Sequence, residues 1–190
     1  MERFRIFLSH LNGESKLADA IQTHLTKDFI GLVEVFVSSD RISIPAGSKW
    51  LSEVTTALNK ANLHLILCSD EAVGRPWINF EAGAAHLRGI PLIPLCHSGL
   101  KPAQLPVPLS EYEGIVATEQ DGLVSLYRVI ADALGSGIPE INFERFAAEV
   151  AALEAEYQQR LTASVSPATL NDGVETIRNP TALCITSPSL

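Results

Sequence analysis

The 190-residue sequence predicts an α/β protein: a five-stranded parallel sheet flanked by helices, with a C-terminal helix and a flexible tail. Three observations lead there. Short, continuously apolar runs alternate with segments whose apolar residues recur every three or four positions, the pattern of strands joined by crossover helices. Apolar residues make up 46% of the chain, enough to cover both faces of a buried sheet. From Thr162 onward the chain turns rich in Ser, Thr, Pro and Asn and loses its periodicity, as a flexible segment does. The expected division is a domain over residues 1–138, an amphipathic helix over 139–161 and a tail or linker over 162–190.

Each element has its own signal. Residues 4–9 (FRIFLS) read as a buried strand, and residues 14–29 as a helix with Leu17, Ile21 and Leu25 on one stripe. Residues 33–37 (VEVFV) form a second strand, and the following loop holds Pro45 and Gly47. Ser48 is placed to cap a helix whose stripe is Leu51, Val54, Leu58 and Ala61. Residues 63–68 (LHLILC) are strand three, and residues 69–75 are a loop. Pro76 opens the third helix, which Gly89 ends. Residues 90–96 are a fourth strand, whose two prolines suggest an irregular or edge position. Residues 101–108 are a proline-rich loop, residues 113–117 a short fifth strand, and residues 122–134 a helix built on Leu123, Leu126, Ile130 and Leu134. Over residues 142–161, Phe143, Phe146, Val150, Leu153, Tyr157 and Leu161 make a narrow apolar seam. It fits packing on the domain or on a second subunit.

Composition excludes several classes. A net charge of −8 argues against a general phosphate-backbone binder, so no direct nucleic-acid contact is expected. No apolar run is long enough for a membrane helix, and the first residues lack a signal-peptide layout. Three cysteines make neither a disulfide framework nor a zinc ribbon, and a reduced, cytoplasmic setting is expected. No G-x-G-x-x-G or Walker loop is present, which sets aside dehydrogenases and NTPases. A receiver domain would need an aspartate where strand three ends in Cys68-Ser69.

Parallel α/β sheets bind ligands beyond the carboxyl ends of their strands. Those ends carry Ser9-His10, Ser38 to Asp40, Cys68-Ser69 and the segment after Cys96. The sharpest feature is PWINFEAG, where Trp77 and Glu81 lie four residues apart on one helix face. An aromatic plate beside a carboxylate suits a cationic or planar ligand, but spacing alone favours a tryptophan at the core edge beside a solvated glutamate, because such pairs are common. Phe80, Ala84 and Leu87 are placed on a neighbouring stripe facing the sheet. Asp40 contacts ligand or makes an Asx-turn. Ser9 and His10 form no triad with an acidic neighbour. His64 reads as a satisfied, partly buried histidine, Cys68 and Cys96 as small core residues, and Gly83 as a point of close helix approach. His86 and His97 are too isolated for a metal site, and none is expected.

Taken in order, FLSH, the stretch from Phe36 to Trp50 with Asp40 and Ala46-Gly47, LILCS, RPWINFEAGAA and PLIPL resemble a Toll/interleukin-1 receptor (TIR) domain of the bacterial type, over residues 4–134. The resemblance implies a flavodoxin-like fold. It also implies cleavage of the nicotinamide–ribose bond of NAD+, as substrate and without a further cofactor. Glu81 takes the place of the family's catalytic glutamate, with Trp77 beside it. His10 and Asn12 would border the pocket, as would Asp40. The loop from Ser39 to Gly47 matches the family's BB loop, so Ile42, Ser43, Ile44, Pro45, Ala46 and Gly47 are implied in assembly. Some catalytic members carry a basic residue where this chain has His10-Leu11-Asn12; diphosphate contacts then fall to Arg41, Lys49 or backbone N–H groups. Trp50 is either an aromatic wall of the pocket or a packing residue.

One carboxylate suffices for this chemistry. Nicotinamide leaves a positively charged pyridinium as a neutral molecule, so no general acid is needed, unlike ordinary glycoside hydrolysis. Water as acceptor gives ADP-ribose, and an internal acceptor gives a cyclic isomer. The resemblance further implies immune signalling during phage infection, activation by oligomerisation, and a sensor or effector partner. Two other readings stay open: a non-catalytic TIR scaffold, and a nucleoside deoxyribosyltransferase-like N-glycosidase.

Overall fold

In a computed structural model, residues 3–40 and 50–165 are described. The strands are β1 (Phe4–Leu11), β2 (Val33–Asp40), β3 (Leu63–Cys68), β4 (Leu92–Cys96) and β5 (Ile115–Val116). They form one parallel sheet in the order β2-β1-β3-β4-β5. The helices are α1 (Ser15–Asp28), α2 (Trp50–Asn59), α3 (Asp70–Val73), α4 (Pro76–Leu87), α5 (Gln120–Leu134) and α6 (Phe143–Val165).

Strand alternation divides the core in two. Ile6, Leu8, Val33, Val35, Leu63, Leu65 and Leu67 pack beneath α1, α5 and α6. Phe7, Leu11, Ile66 and Cys68 pack on the opposite face with Val54 and Leu58 of α2 and Ile78, Ala82 and Ala85 of α4. Register pairs Phe7 with Phe36, and their rings stack at 5.4 Å. The same register pairs Ser9 with Ser38 at the carboxyl edge.

Most of the seam on α6 packs within the chain, while Leu161 near its end is exposed. Phe146, Val150 and Tyr157 are buried, and Phe146 stacks on His24 of α1 at 3.9 Å between ring centres. Tyr157 reaches the loop after β1: a Cβ on Gly13 would lie 3.1 Å from its ring, so that glycine permits the approach.

Several expectations change. β1 and β2 run past their expected ends, to Leu11 and Asp40, because the polar residues there remain paired in the ladder. The loop at 69–75 contains α3, whose N-terminus is capped by Ser69 Oγ accepting from the Ala72 N–H. β4 is an inner strand between β3 and the two-residue β5. A Cβ on Gly83 would meet nothing within 4 Å, so this glycine serves no close approach. α6 continues to Val165, and the remainder of the expected tail lies outside the described residues, as does the Ser48 cap.

Candidate active site

α4 explains the site. Pro76 supplies its first turn, where a missing N–H costs nothing, and Gly89 at φ 65° follows its end. The stripe turned to the sheet is Ile78, Glu81, Ala82 and Ala85, at i, i+3, i+4 and i+7. This corrects the expected stripe: Phe80 is 55% exposed and Leu87 is 87% exposed. The helix presents an acid to the sheet and two large apolar residues to solvent.

Glu81 is fully buried and sits where hydroxyls from two strands converge. Ser9 of β1 donates to its Oε2 at 2.5 Å, and Ser38 of β2 donates to its Oε1 at 2.7 Å. One hydroxyl on each oxygen follows from the Ser9–Ser38 register pairing. Hydrogen bonds to a carboxylate stabilise its charged form and offset the cost of burial. Ser9 Oγ also lies 2.7 Å from Nε2 of His64 in β3. His64 is completely buried, more so than expected, and burial lowers its pKa from 6.5 to about 3.

Trp77 lies one turn before Glu81, half-buried, with its ring stacked on Phe80 at 5.3 Å. His10 is buried at the end of β1, and its Nδ1–H donates to the Leu11 carbonyl at 2.5 Å. Burial pushes the His10 pKa down, against smaller upward effects of the Leu11 carbonyl, Glu14 and Asp19. Asn12 is exposed in the 3-10 turn Asn12–Glu14 that follows. Asp40 closes β2 opposite Leu11, and Trp50 is the first residue of α2. Arg41, Ile42, Ser43, Ile44, Pro45, Ala46, Gly47 and Lys49 lie outside the described residues.

A second carboxylate, Glu14, is also buried. Glu14 accepts from the Leu11 N–H at 2.8 Å and from Ser69 Oγ at 2.6 Å, and His97 Nε2 lies 3.1 Å from it. His97 Nδ1 meets Ser98 Oγ at 3.0 Å. Nothing in the sequence joins Glu14 to Ser69 and His97, or Glu81 to Ser9, Ser38 and His64. The one available hint was polar residues at the carboxyl ends of apolar strands. No group of three or more metal-ligating side chains occurs among the described residues.

A flavodoxin-like parallel sheet with a buried carboxylate at its carboxyl edge defines the class: an α/β domain with its polar site at the strand ends. The chain belongs to the TIR-domain family, whose model matches residues 6–126. A comparison with curated proteins gives no match. Among solved structures, the TIR domains of the activated Roq1 resistosome directly recognizing the pathogen effector XopQ are similar at 13% identity and a TM-score of 0.37. That similarity covers 85% of this chain and 99% of the other. Among the described residues, no helix is long and apolar enough to cross a membrane.

Proposed function

We propose that this TIR domain cleaves the nicotinamide–ribose bond of NAD+, with Glu81 as the carboxylate that acts on the ribose. The observation that carries the reading is the Glu81 carboxylate, held by Ser9 and Ser38 at the carboxyl edge of the sheet with Trp77 one turn away. Hydroxyl groups already occupy both carboxylate oxygens, so the site is built to accept O–H donors, and ribose hydroxyls are donors of the same kind.

In the reaction, the bond between ribose C1′ and the pyridinium nitrogen breaks. Its electron pair stays on nitrogen and yields neutral nicotinamide. Positive charge develops on the ribose, where a carboxylate stabilises it directly or by gripping the hydroxyls. Water then adds at C1′ and releases a proton, giving ADP-ribose; an internal acceptor gives a cyclic isomer. Trp77 offers a ring face for the nicotinamide. His10 lies near the end of β1 and Asn12 in the turn after it, while Asp40 closes β2 and Trp50 opens α2; together with Arg41, which follows Asp40 in sequence, they are proposed to contact the substrate. The reading includes self-association through residues 42–47, a cytoplasmic role in anti-phage immune signalling, and a sensor or effector partner.

The test is incubation of the concentrated protein with NAD+, beside Glu81→Gln, with products resolved by mass spectrometry. Nicotinamide release that the variant loses supports the reading, and the co-product mass separates hydrolysis from cyclisation. Nucleosides cleaved with NAD+ spared would favour the deoxyribosyltransferase-like alternative. No release at any concentration that drives self-association would favour the scaffold.

A further inference from the structure

We infer that His64 and Ser9 form a directional relay that positions the Glu81 carboxylate: His64 Nε2–H donates to Ser9 Oγ, and the Ser9 hydroxyl donates to Glu81 Oε2. The inference rests on the reading of Glu81 as the acting carboxylate, and makes His64 and Ser9 positioning residues for it.

The partners at the two ends of the relay fix its direction. An ionised carboxylate only accepts, so the one Ser9 proton goes to Glu81 at 2.5 Å. Ser9 Oγ then has only lone pairs to offer His64 at 2.7 Å, and Nε2 must carry the hydrogen. From the other end, His64 Nδ1 is buried with no hydrogen-bond partner among the described residues. A proton there would be an orphaned buried donor, so the neutral ring keeps its hydrogen on Nε2. The ring is neutral because burial lowers its pKa to about 3.

The placement of His64 calls for such a role. β3 is otherwise leucine, isoleucine and cysteine, all six residues are buried, and an apolar side chain would fill position 64 at less cost. Instead the strand carries an imidazole with one nitrogen unsatisfied. Its ring is held edge-on to Phe7 at 5.2 Å, which fixes the direction of Nε2. A serine hydroxyl rotates freely by itself; a donor behind it at a fixed position leaves one orientation. Oε1, in turn, is held by Ser38 from the neighbouring strand at 2.7 Å. The carboxylate plane is thus set from both sides, as a group acting on one ribose face requires.

The test begins on wild-type protein without substrate. Long-range nitrogen–proton correlation spectra report the tautomer of each histidine, and His64→Gln assigns the His64 signals by their loss. The expected result is the Nε2–H form in the wild type, with an Nε2–H proton resonance that moves in Glu81→Ala, where Ser9 no longer passes its hydrogen bond to a carboxylate. An Nδ1–H form in the wild type, or an Nε2–H resonance that Glu81→Ala leaves in place, overturns the relay. With NAD+, His64→Leu should lower kcat about tenfold, the size expected when one hydrogen bond orienting a charged group is lost, with KM unchanged. His64→Gln, which restores a donor near Nε2, should regain most of it. Equal kcat in wild type and His64→Leu overturns the relay. An Nε2–H resonance that moves in Glu81→Ala, in a protein that releases no nicotinamide, supports the relay and refutes the NAD+ reading of Glu81.

Discussion

His64 makes the stability of this domain acid-sensitive in a measurable way. Burial lowers its pKa from 6.5 to about 3. The folded protein therefore resists a proton that the unfolded chain accepts. The contribution is intact above pH 6.5 and drains as the pH falls from there toward 3. Each unit within that window costs about 1.4 kcal/mol, so acidification from pH 7 to 4.5 removes roughly 2–3 kcal/mol through this side chain. That is a large share of the roughly 5–15 kcal/mol that holds a domain together. The perturbation is His64→Gln, which keeps a polar donor but does not titrate. Urea unfolding at half-unit steps from pH 7 to 4.5 gives the two stability curves. The wild-type curve should fall faster, and the gap should open only below pH 6.5. His10, also lowered by burial, drains stability in the same direction but is present in both proteins and cancels in the difference. Parallel curves would refute the argument, because His64 would then titrate alike folded and unfolded.

Other expectations follow from packing and hydrogen bonding. Gly122→Ala places a Cβ 2.6 Å from the Val116 carbonyl oxygen, so urea melts should show a loss of about 1–3 kcal/mol. Phe146→Ala removes a fully buried ring that packs on His24 and Tyr127, and should cost about 3–5 kcal/mol in the same assay. Glu14→Ala strands the Leu11 N–H, the Ser69 hydroxyl and His97 Nε2, and should cost about 3 kcal/mol or more by thermal or urea unfolding. Trp77→Ala, if its ring receives nicotinamide, should raise KM for NAD+ by about tenfold, the value of one aromatic stacking contact, as read by initial rates.

The fold was largely legible because its information is local and periodic. β3 is six buried residues in a row, and α5 repeats Leu123, Leu126 and Ile130 at helical spacing. Pro76 and Gly89 bracket α4 as backbone chemistry requires. Of the candidate site, Trp77 and Glu81 stand out in the sequence by their spacing, and a role for Glu81 comes only from the order of the family's motifs. The surroundings of Glu81 were not legible. Hydrophobic periodicity assigns Phe80 and Leu87 to the core and Glu81 to solvent, and the helix does the reverse. What turns it is the run of small residues at Ala82 and Ala85, which lets α4 lie close on the sheet and carry the acid inward. Ser9 and Glu81 are 72 positions apart, and Ser9 and His64 are 55 apart. Such pairs depend on strand register, which one sequence does not specify. The extent of β1 and β2 was missed for a related reason: serines and an aspartate at strand ends read as loop unless their ladder partners are known.

The two buried carboxylates now separate by the kind of partner each has. Glu14 is tied to a backbone N–H, to Ser69 and to His97, and these bind the loop after β1 to the ends of β3 and β4. A backbone donor cannot rotate away, so Glu14 is committed to holding that corner together. Glu81 accepts a serine hydroxyl on each oxygen, and the Ser38 hydroxyl, unlike a backbone N–H, can rotate away from Oε1 when a ligand hydroxyl takes its place. On the proposed reading, that exchange is what lets the carboxylate engage the ribose. Burial contributes as well, since a charge facing a developing cation acts more strongly away from bulk water. The same reasoning explains why Ser9 needs His64 behind it: exchangeable partners leave a carboxylate free to turn, and the relay restores a single orientation to a group that must give up its bonds in order to act.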